Sequence, residues 1–210
     1  MARANRIAPT GERFATPERG LLMGNRGCLV DAAGAFTRRR WTTRAWICCR
    51  LDWKGRQLPV APPGRWTALF FLDEATALAA GHRPCGFCRH AALVAFKAAL
   101  GEGATPIATV DAALHAARLV RPYPRRALGA LPEGAMLRRD GDPSAWLLWR
   151  GALRRWTPGG YRHADAPQPD PDAVVDVLTP APMLAALAGG YRPIVHPSAL
   201  PESPGDVSGA

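Results

Sequence analysis

The residues best suited to chemistry are Cys85 and Cys88, which have two residues between them in the run 81–90. Two thiolates at this spacing can bind one tetrahedral metal ion, with each sulfur about 2.3 Å from a zinc ion. A helix is expected from near Arg89, and its positive N-terminal end favours the thiolate form of both sulfurs. A pair of buried or redox-active cysteines is the alternative interpretation.

A closed structural zinc site needs four ligands, so two further ligands must come from elsewhere in the chain. Cys48 and Cys49 are adjacent in a predicted strand, so their side chains point to opposite faces and only one can reach a shared ion. We expect a four-sulfur site that clamps two N-terminal strands to the start of the helix. Its members are Cys85, Cys88, Cys49 and Cys28. His82 or His90 in place of one sulfur is the main alternative.

Other residues carry weaker signals. Asp111, His115 and Arg118 share one face of a predicted helix, and an Asp–His pair can act as a general base with its orienting carboxylate. A solvated salt-bridge face explains the same pattern. The turn 24–27 can form an amide nest for an anion, although a plain hairpin turn fits it as well.

Arginine pairs and triplets occur beside tryptophans, a combination that can bind phosphates and stack bases, although solvated strand edges show it too. The clusters are Arg38–Arg40, Arg125-Arg126, Arg138-Arg139 and Arg154-Arg155, with Trp41 and Trp156 adjacent to two of them.

The predicted strands and helices that carry these residues indicate an α+β fold. Region 1–120 is expected to contain strands, a zinc knuckle formed by Cys85 and Cys88, and two central helices. Region 121–200 is expected to contain a Trp-rich β-meander of three strands with a short helix. A last strand is expected at 191–195, and residues 201–210 read as a frayed tail.

Composition narrows the class of protein. Hydrophobic residues make up 48% and charged residues 21%, which is typical of a folded chain. No apolar stretch approaches the roughly 20 residues of a membrane helix, and the N-terminus lacks the apolar core of a signal peptide, so we expect a cytoplasmic protein without a membrane partner. In that compartment the five cysteines stay reduced.

The charge is strongly asymmetric along the chain. The net charge is +10, and 25 of the 27 basic residues are arginine. Residues 1–163 carry +15 and residues 164–210 carry −5. A basic body favours an anionic partner such as DNA or RNA, although an Arg-rich, Lys-poor composition is also typical of GC-rich genomes.

The run 70–88, Phe-Phe-Leu-Asp-Glu-Ala followed by Leu-Ala-Ala-Gly-His-Arg-Pro-Cys-Gly-Phe-Cys, resembles part of the zinc domain of Ada-type DNA-repair proteins. The resemblance implies that Cys85 and Cys88 bind Zn2+ and that Cys49 matches the methyl-accepting cysteine. Ada's first cysteine pair has three residues between its members, whereas the position four beyond Cys49 is Trp53, so Cys28 is the expected substitute. The whole chain also resembles an uncharacterised family of bacterial proteins with this cassette.

These features predict a non-catalytic, zinc-binding structural module that contacts nucleic acid through an arginine-rich face. An Ada-like, alkyl-accepting thiol is the second hypothesis. A protein-interaction module that uses the tryptophan meander and acidic tail is the third. The sequence carries no phosphate-loop lysine motif, dinucleotide glycine fingerprint or serine-nucleophile elbow, which disfavours the common enzyme classes.

Overall fold

The computed structural model describes residues 3–57, 65–163 and 170–200. These residues form two six-stranded sheets, a small hairpin and four α-helices, which confirms the predicted α+β class. The predicted tail 201–210 lies outside the described residues.

The first sheet has the strand order β2-β1-β7-β3-β4-β8. Its strands are β1 (Arg6–Ile7), β2 (Arg13–Phe14), β3 (Leu22–Asn25), β4 (Ile47–Arg50), β7 (Leu69–Phe71) and β8 (Arg83–Pro84). A separate hairpin pairs β5 (Asp52–Trp53) with β6 (Arg56–Gln57). Its turn residues Lys54 and Gly55 both have positive φ, as a two-residue hairpin turn requires. The short strands β1, β2 and β8 have too few residues to show an alternating pattern in the sequence.

The second sheet is antiparallel throughout, with the order β13-β12-β11-β10-β14-β9. Its strands are β9 (Arg125–Ala127), β10 (Met136–Arg138), β11 (Trp146–Trp149), β12 (Ala152–Thr157), β13 (Gly160–His163) and β14 (Val174–Val177). The meander therefore has four strands rather than the three predicted. The fourth arises because Thr157 pairs with Gly160 across a tight turn.

The helices are α1 (Glu74–Ala79), α2 (His90–Ala99), α3 (Ile107–Arg118) and α4 (Ala181–Ala188). The Asp73 side chain caps α1 by accepting a hydrogen bond from the Thr76 amide at 2.9 Å. Gly81, two residues after the end of α1, has a positive φ of +85°. A side chain at Gly81 would also collide with Arg118 of α3, because an added Cβ would lie 2.8 Å from the Arg118 Cβ.

Helix α1 joins the two sheets. Ala77 and Ala80 pack with Leu69 and Phe71 of the first sheet. Ala75 and Ala79 pack in a cluster of the second sheet whose other members are Leu72, Met136, Ala145, Leu147, Tyr161, Leu178 and Ala199. All six residues of α1 are buried, so small alanine side chains allow both layers to approach one helix.

The predicted strand at 191–195 is wrong, because this segment is not paired in a sheet. Instead it is held by Glu74 at the start of α1. The Glu74 carboxylate accepts hydrogen bonds from the Tyr191 hydroxyl at 2.6 Å and from the Ile194 amide at 3.0 Å. Pro193 has no amide hydrogen to give to a strand ladder.

Candidate metal site

Three cysteine sulfurs lie together at the edge of the first sheet. The Sγ atoms of Cys49, Cys85 and Cys88 are all within 4.8 Å of one another, and all three residues are buried. Sulfurs on a tetrahedral zinc ion stand about 3.8 Å apart, given zinc–sulfur bonds of about 2.3 Å. The group is therefore close to the spacing that one ion requires and could hold a metal ion.

Two segments that are distant in the sequence supply these sulfurs. Cys49 lies in β4, and Cys85 follows β8, which pairs with β4 in parallel. The Cys85 amide donates to the Cys48 carbonyl at 2.9 Å, and this bond fixes the position of Cys85 along β4. The Arg89 amide donates to the Cys85 carbonyl at 3.0 Å, which places Cys88 in the turn before α2.

Backbone amides already point at two of the sulfurs. The Arg50 amide donates to the Cys88 Sγ at 3.4 Å, and the Phe87 amide donates to the Cys85 Sγ at 3.4 Å. Hydrogen bonds from amides favour the charged thiolate that a metal ion needs. Hydrogen bonding from the Cys49 and Cys88 thiols further lowers the pKa of Cys85, and the same bonding raises the pKa of Cys49.

Cys48 faces the opposite side of β4, as the strand geometry predicts. It is fully buried in the apolar cluster of Leu69 and Phe71, apart from the three-sulfur group. Burial raises the pKa of its thiol. An Arg89 nitrogen lies 3.5 Å from its Sγ and donates to it. Cys48 is therefore a protonated, structural thiol.

The structure does not bring Cys28 to the three sulfurs. Its thiol donates to the Val30 carbonyl at 3.5 Å, and its amide donates to the Thr42 hydroxyl at 2.9 Å. The two histidines considered as replacements are elsewhere too. His82 is fully buried and its Nε2 accepts from Arg26 Nε at 3.1 Å, and His90 is exposed at the start of α2.

All five cysteines and all five histidines fall in the described ranges. Within those ranges the group contains three sulfurs and no imidazole. A fourth coordination position on a bound ion would thus be left for another kind of ligand. Cys88 borders an open groove of about 590 Å³ whose lining also includes Arg50, Asp52 and His90.

Asp111, His115 and Arg118 of α3, considered above as an acid–base group, each make other contacts. Asp111 accepts two hydrogen bonds from Arg83, each 2.8 Å long, so both oxygens of its carboxylate are bonded to that arginine. His115 packs edge-on against Trp41, with ring centroids 5.2 Å apart. Arg118 is buried and donates its Nε to the Leu114 carbonyl at 2.9 Å.

Comparison of the chain with protein-family models, curated proteins and solved structures gave no match. Among the residues that the structure describes, no helix has the length and apolar character needed to cross a lipid bilayer.

Proposed function

We propose that the protein is a zinc-binding structural module in which Cys49, Cys85 and Cys88 bind one ion. The observation that carries this proposal is the convergence of the three buried sulfurs within 4.8 Å. The donor set supports zinc, because thiolates are soft ligands that select zinc over calcium or magnesium. Bound zinc would tie β4 to the turn before α2, so its binding energy would add to the free energy of unfolding.

The Cys85→Ser and Cys28→Ser variants form a matched pair that tests this proposal. We expect Cys85→Ser to lower both the zinc content of the purified protein and its melting temperature, because one of three ligands is removed. Cys28→Ser should keep the wild-type zinc content, since Cys28 lies outside the group. Equal zinc content in both variants, or no zinc in reduced wild-type protein, would refute the site.

We also propose that an arginine-rich loop contacts nucleic acid. The loop between β3 and β4 exposes Arg38, Arg39, Arg40 and Arg44 around the half-buried Trp41. Several arginines of the other predicted clusters are engaged within the protein. Arg155, for example, donates to the Ser144 hydroxyl at 3.1 Å. The exposed loop is thus the better candidate for binding phosphates, and Trp41 for stacking.

Binding of labelled single-stranded and double-stranded oligonucleotides across a salt series tests this interaction. We expect the affinity of the wild type to fall steeply as the salt concentration rises. The Arg38→Gln/Arg39→Gln double variant should reduce the slope of log K against log salt by about 0.7–0.9 for each phosphate that is no longer neutralised. Arg126→Gln changes an exposed arginine of β9 and serves as the control. Absence of binding even at low salt would favour a protein-interaction module.

An alkyl-accepting thiol is a second candidate function. A zinc ion bound by Cys49, Cys85 and Cys88 would hold these sulfurs as thiolates, which are the nucleophilic form of cysteine. Cys88 borders an open groove through which a substrate would reach the group. In such a step a sulfur–carbon bond forms as the methyl carbon–oxygen bond of a phosphate methyl ester breaks, and the electron pair leaves on the phosphate oxygen. Mass spectrometry after incubation with methylated DNA decides the case, and an unchanged mass on every cysteine refutes alkyl transfer.

A further inference from the structure

A second feature of the molecule, separate from the cysteines, is a small cavity with three arginines in its lining. Its volume is about 80 Å³, and it lies where the end of α3 meets the end of α1 and the start of α4. Arg118 and Trp46 line it, and the exposed residues Arg40 and Arg121 also border it. None of the three sulfurs of the candidate metal site is among its lining residues.

Among the described residues, Arg118 forms no salt bridge. The residue is 6% exposed. Its Nε donates to the Leu114 carbonyl, but its two terminal nitrogens have no hydrogen-bond partner among the described residues. The nearest carboxylate along α3, Asp111, already has both oxygens bonded to Arg83. Burial lowers the pKa of Arg118 to about 10, so its guanidinium remains charged at neutral pH.

Arg26 is a second buried cation, and it contacts Trp46, which lines the cavity. It is 1% exposed and donates to the His82 Nε2 and to the Gly11 carbonyl, which are both neutral acceptors. Its remaining terminal nitrogen has no partner in the described part of the chain. Burial, followed by the charges of Arg40, Arg118 and Arg13, lowers the pKa of Arg26 to about 9.

One indole ring supports both cations. The guanidinium carbon of Arg26 lies 4.0 Å from the Trp46 ring centroid, and that of Arg118 lies 4.5 Å from it. Cation–π interaction offsets part of the cost of burying each guanidinium. It does not neutralise charge, and in the described ranges neither guanidinium forms a salt bridge. Arg118 and Trp46 line the cavity, and Arg26 contacts the same indole, so the combined positive charge favours an anion within the cavity.

We propose that this cavity binds a tetrahedral oxyanion, specifically a phosphate group. Guanidinium groups are the side chains best matched to phosphate. Three arginines line this space, and Arg26 lies against the same indole ring. A cavity of about 80 Å³ has room for a few water molecules, which is enough for one phosphate group. The exposed rim arginines Arg40 and Arg121 attract an approaching anion.

The phosphate has two possible sources, inorganic phosphate or the terminal phosphate of a nucleic acid strand. The site does not rest on the metal proposal, because it uses no cysteine. It relates to the nucleic-acid proposal only through its position, since Arg40 belongs both to the exposed loop and to the rim.

The test titrates the full-length, as-purified protein with sodium phosphate against sodium chloride of equal ionic strength. Melting temperature and calorimetric binding are the two readouts. In the wild type we expect a melting temperature that rises with phosphate concentration. Arg118→Met keeps an apolar side chain over Trp46 but removes the charge. It should abolish the phosphate-dependent rise, and Arg118→Lys should weaken binding about tenfold or more, because the planar guanidinium fork is absent. Arg126→Gln should behave as the wild type.

A second arm separates the two sources. If a strand end is the ligand, a 5′-phosphorylated oligonucleotide binds more tightly than its unphosphorylated form, and Arg118→Met removes the difference. If inorganic phosphate alone is the ligand, the two oligonucleotides bind equally while the titration with phosphate succeeds. The proposal is overturned if phosphate acts no differently from chloride, or if its effect persists unchanged in Arg118→Met. The zinc content of each sample shows separately whether the metal proposal has failed.

Discussion

Arg83 and Asp111 are joined by two parallel hydrogen bonds, each 2.8 Å long, and both side chains are buried. Arg83 is followed directly by Pro84 and Cys85, and Asp111 lies in α3. The pair therefore anchors the segment that carries two of the three sulfurs to a helix that carries none. Arg83 also donates to the Pro84 carbonyl at 2.9 Å, which stiffens the approach to Cys85.

Breaking this pair should destabilise the protein strongly. Asp111→Asn leaves the buried Arg83 without its counter-charge, and we expect the free energy of unfolding to fall by about 3–5 kcal/mol. Asp140→Asn is the control, because Asp140 pairs with Arg125 at an exposed position where such pairs contribute about 1 kcal/mol or less. Urea denaturation measures both. Comparable decreases in the two variants would contradict the anchoring role.

His82 should make stability depend on pH. Burial, and then the charges of Arg26 and Arg118, hold the pKa of His82 well below its ordinary value. The unfolded chain takes up a proton at this histidine below about pH 6.5 while the folded protein does not, so acidification favours unfolding. This one group should lower stability by up to about 1.4 kcal/mol per pH unit below that value.

The variant His82→Gln keeps an acceptor for Arg26 but cannot titrate. Denaturation curves between pH 7 and pH 5 should therefore show a shallower decrease of stability in His82→Gln than in the wild type. His163→Gln, which replaces an exposed histidine, should retain the wild-type dependence. Parallel curves for all three proteins would show that His82 does not carry the effect.

The five thiols should differ in reactivity. Cys28 is the most accessible of them, whereas Cys48 is fully enclosed and the other three belong to the proposed metal site. A thiol reagent added to native, zinc-loaded protein should modify one cysteine rapidly, and Cys28→Ser should remove that fast phase. Rapid reaction of several cysteines before unfolding would contradict protection of the group by metal.

The sequence predicted the local features that depend on neighbouring residues. The cap at Asp73, the positive φ at Gly81 and the Lys54-Gly55 turn are features of this kind, because each follows from the stereochemistry of a few adjacent residues. The separation of Cys48 from Cys49 followed from strand alternation alone.

The positions of residues that depend on distant parts of the chain were harder to predict from the sequence. No local pattern shows that Cys28 lies away from the sulfur group, since the path of the chain after β3 is fixed by hydrogen bonds such as Cys28 to Thr42. The charged cavity had only partial signals in the sequence. Arg118 stood out on a helical face and Arg26 in a turn, but no local pattern shows that both guanidinium groups lie over the Trp46 ring.

X-ray absorption spectroscopy at the zinc edge, on reduced protein as purified, tests the central claim most directly. We predict one zinc per chain with three sulfur ligands at about 2.3 Å and one lighter donor atom. Cys28→Ser should give the same spectrum, because its sulfur is not a ligand. Four sulfurs around the ion, or protein that folds with no bound metal, would contradict the three-sulfur site.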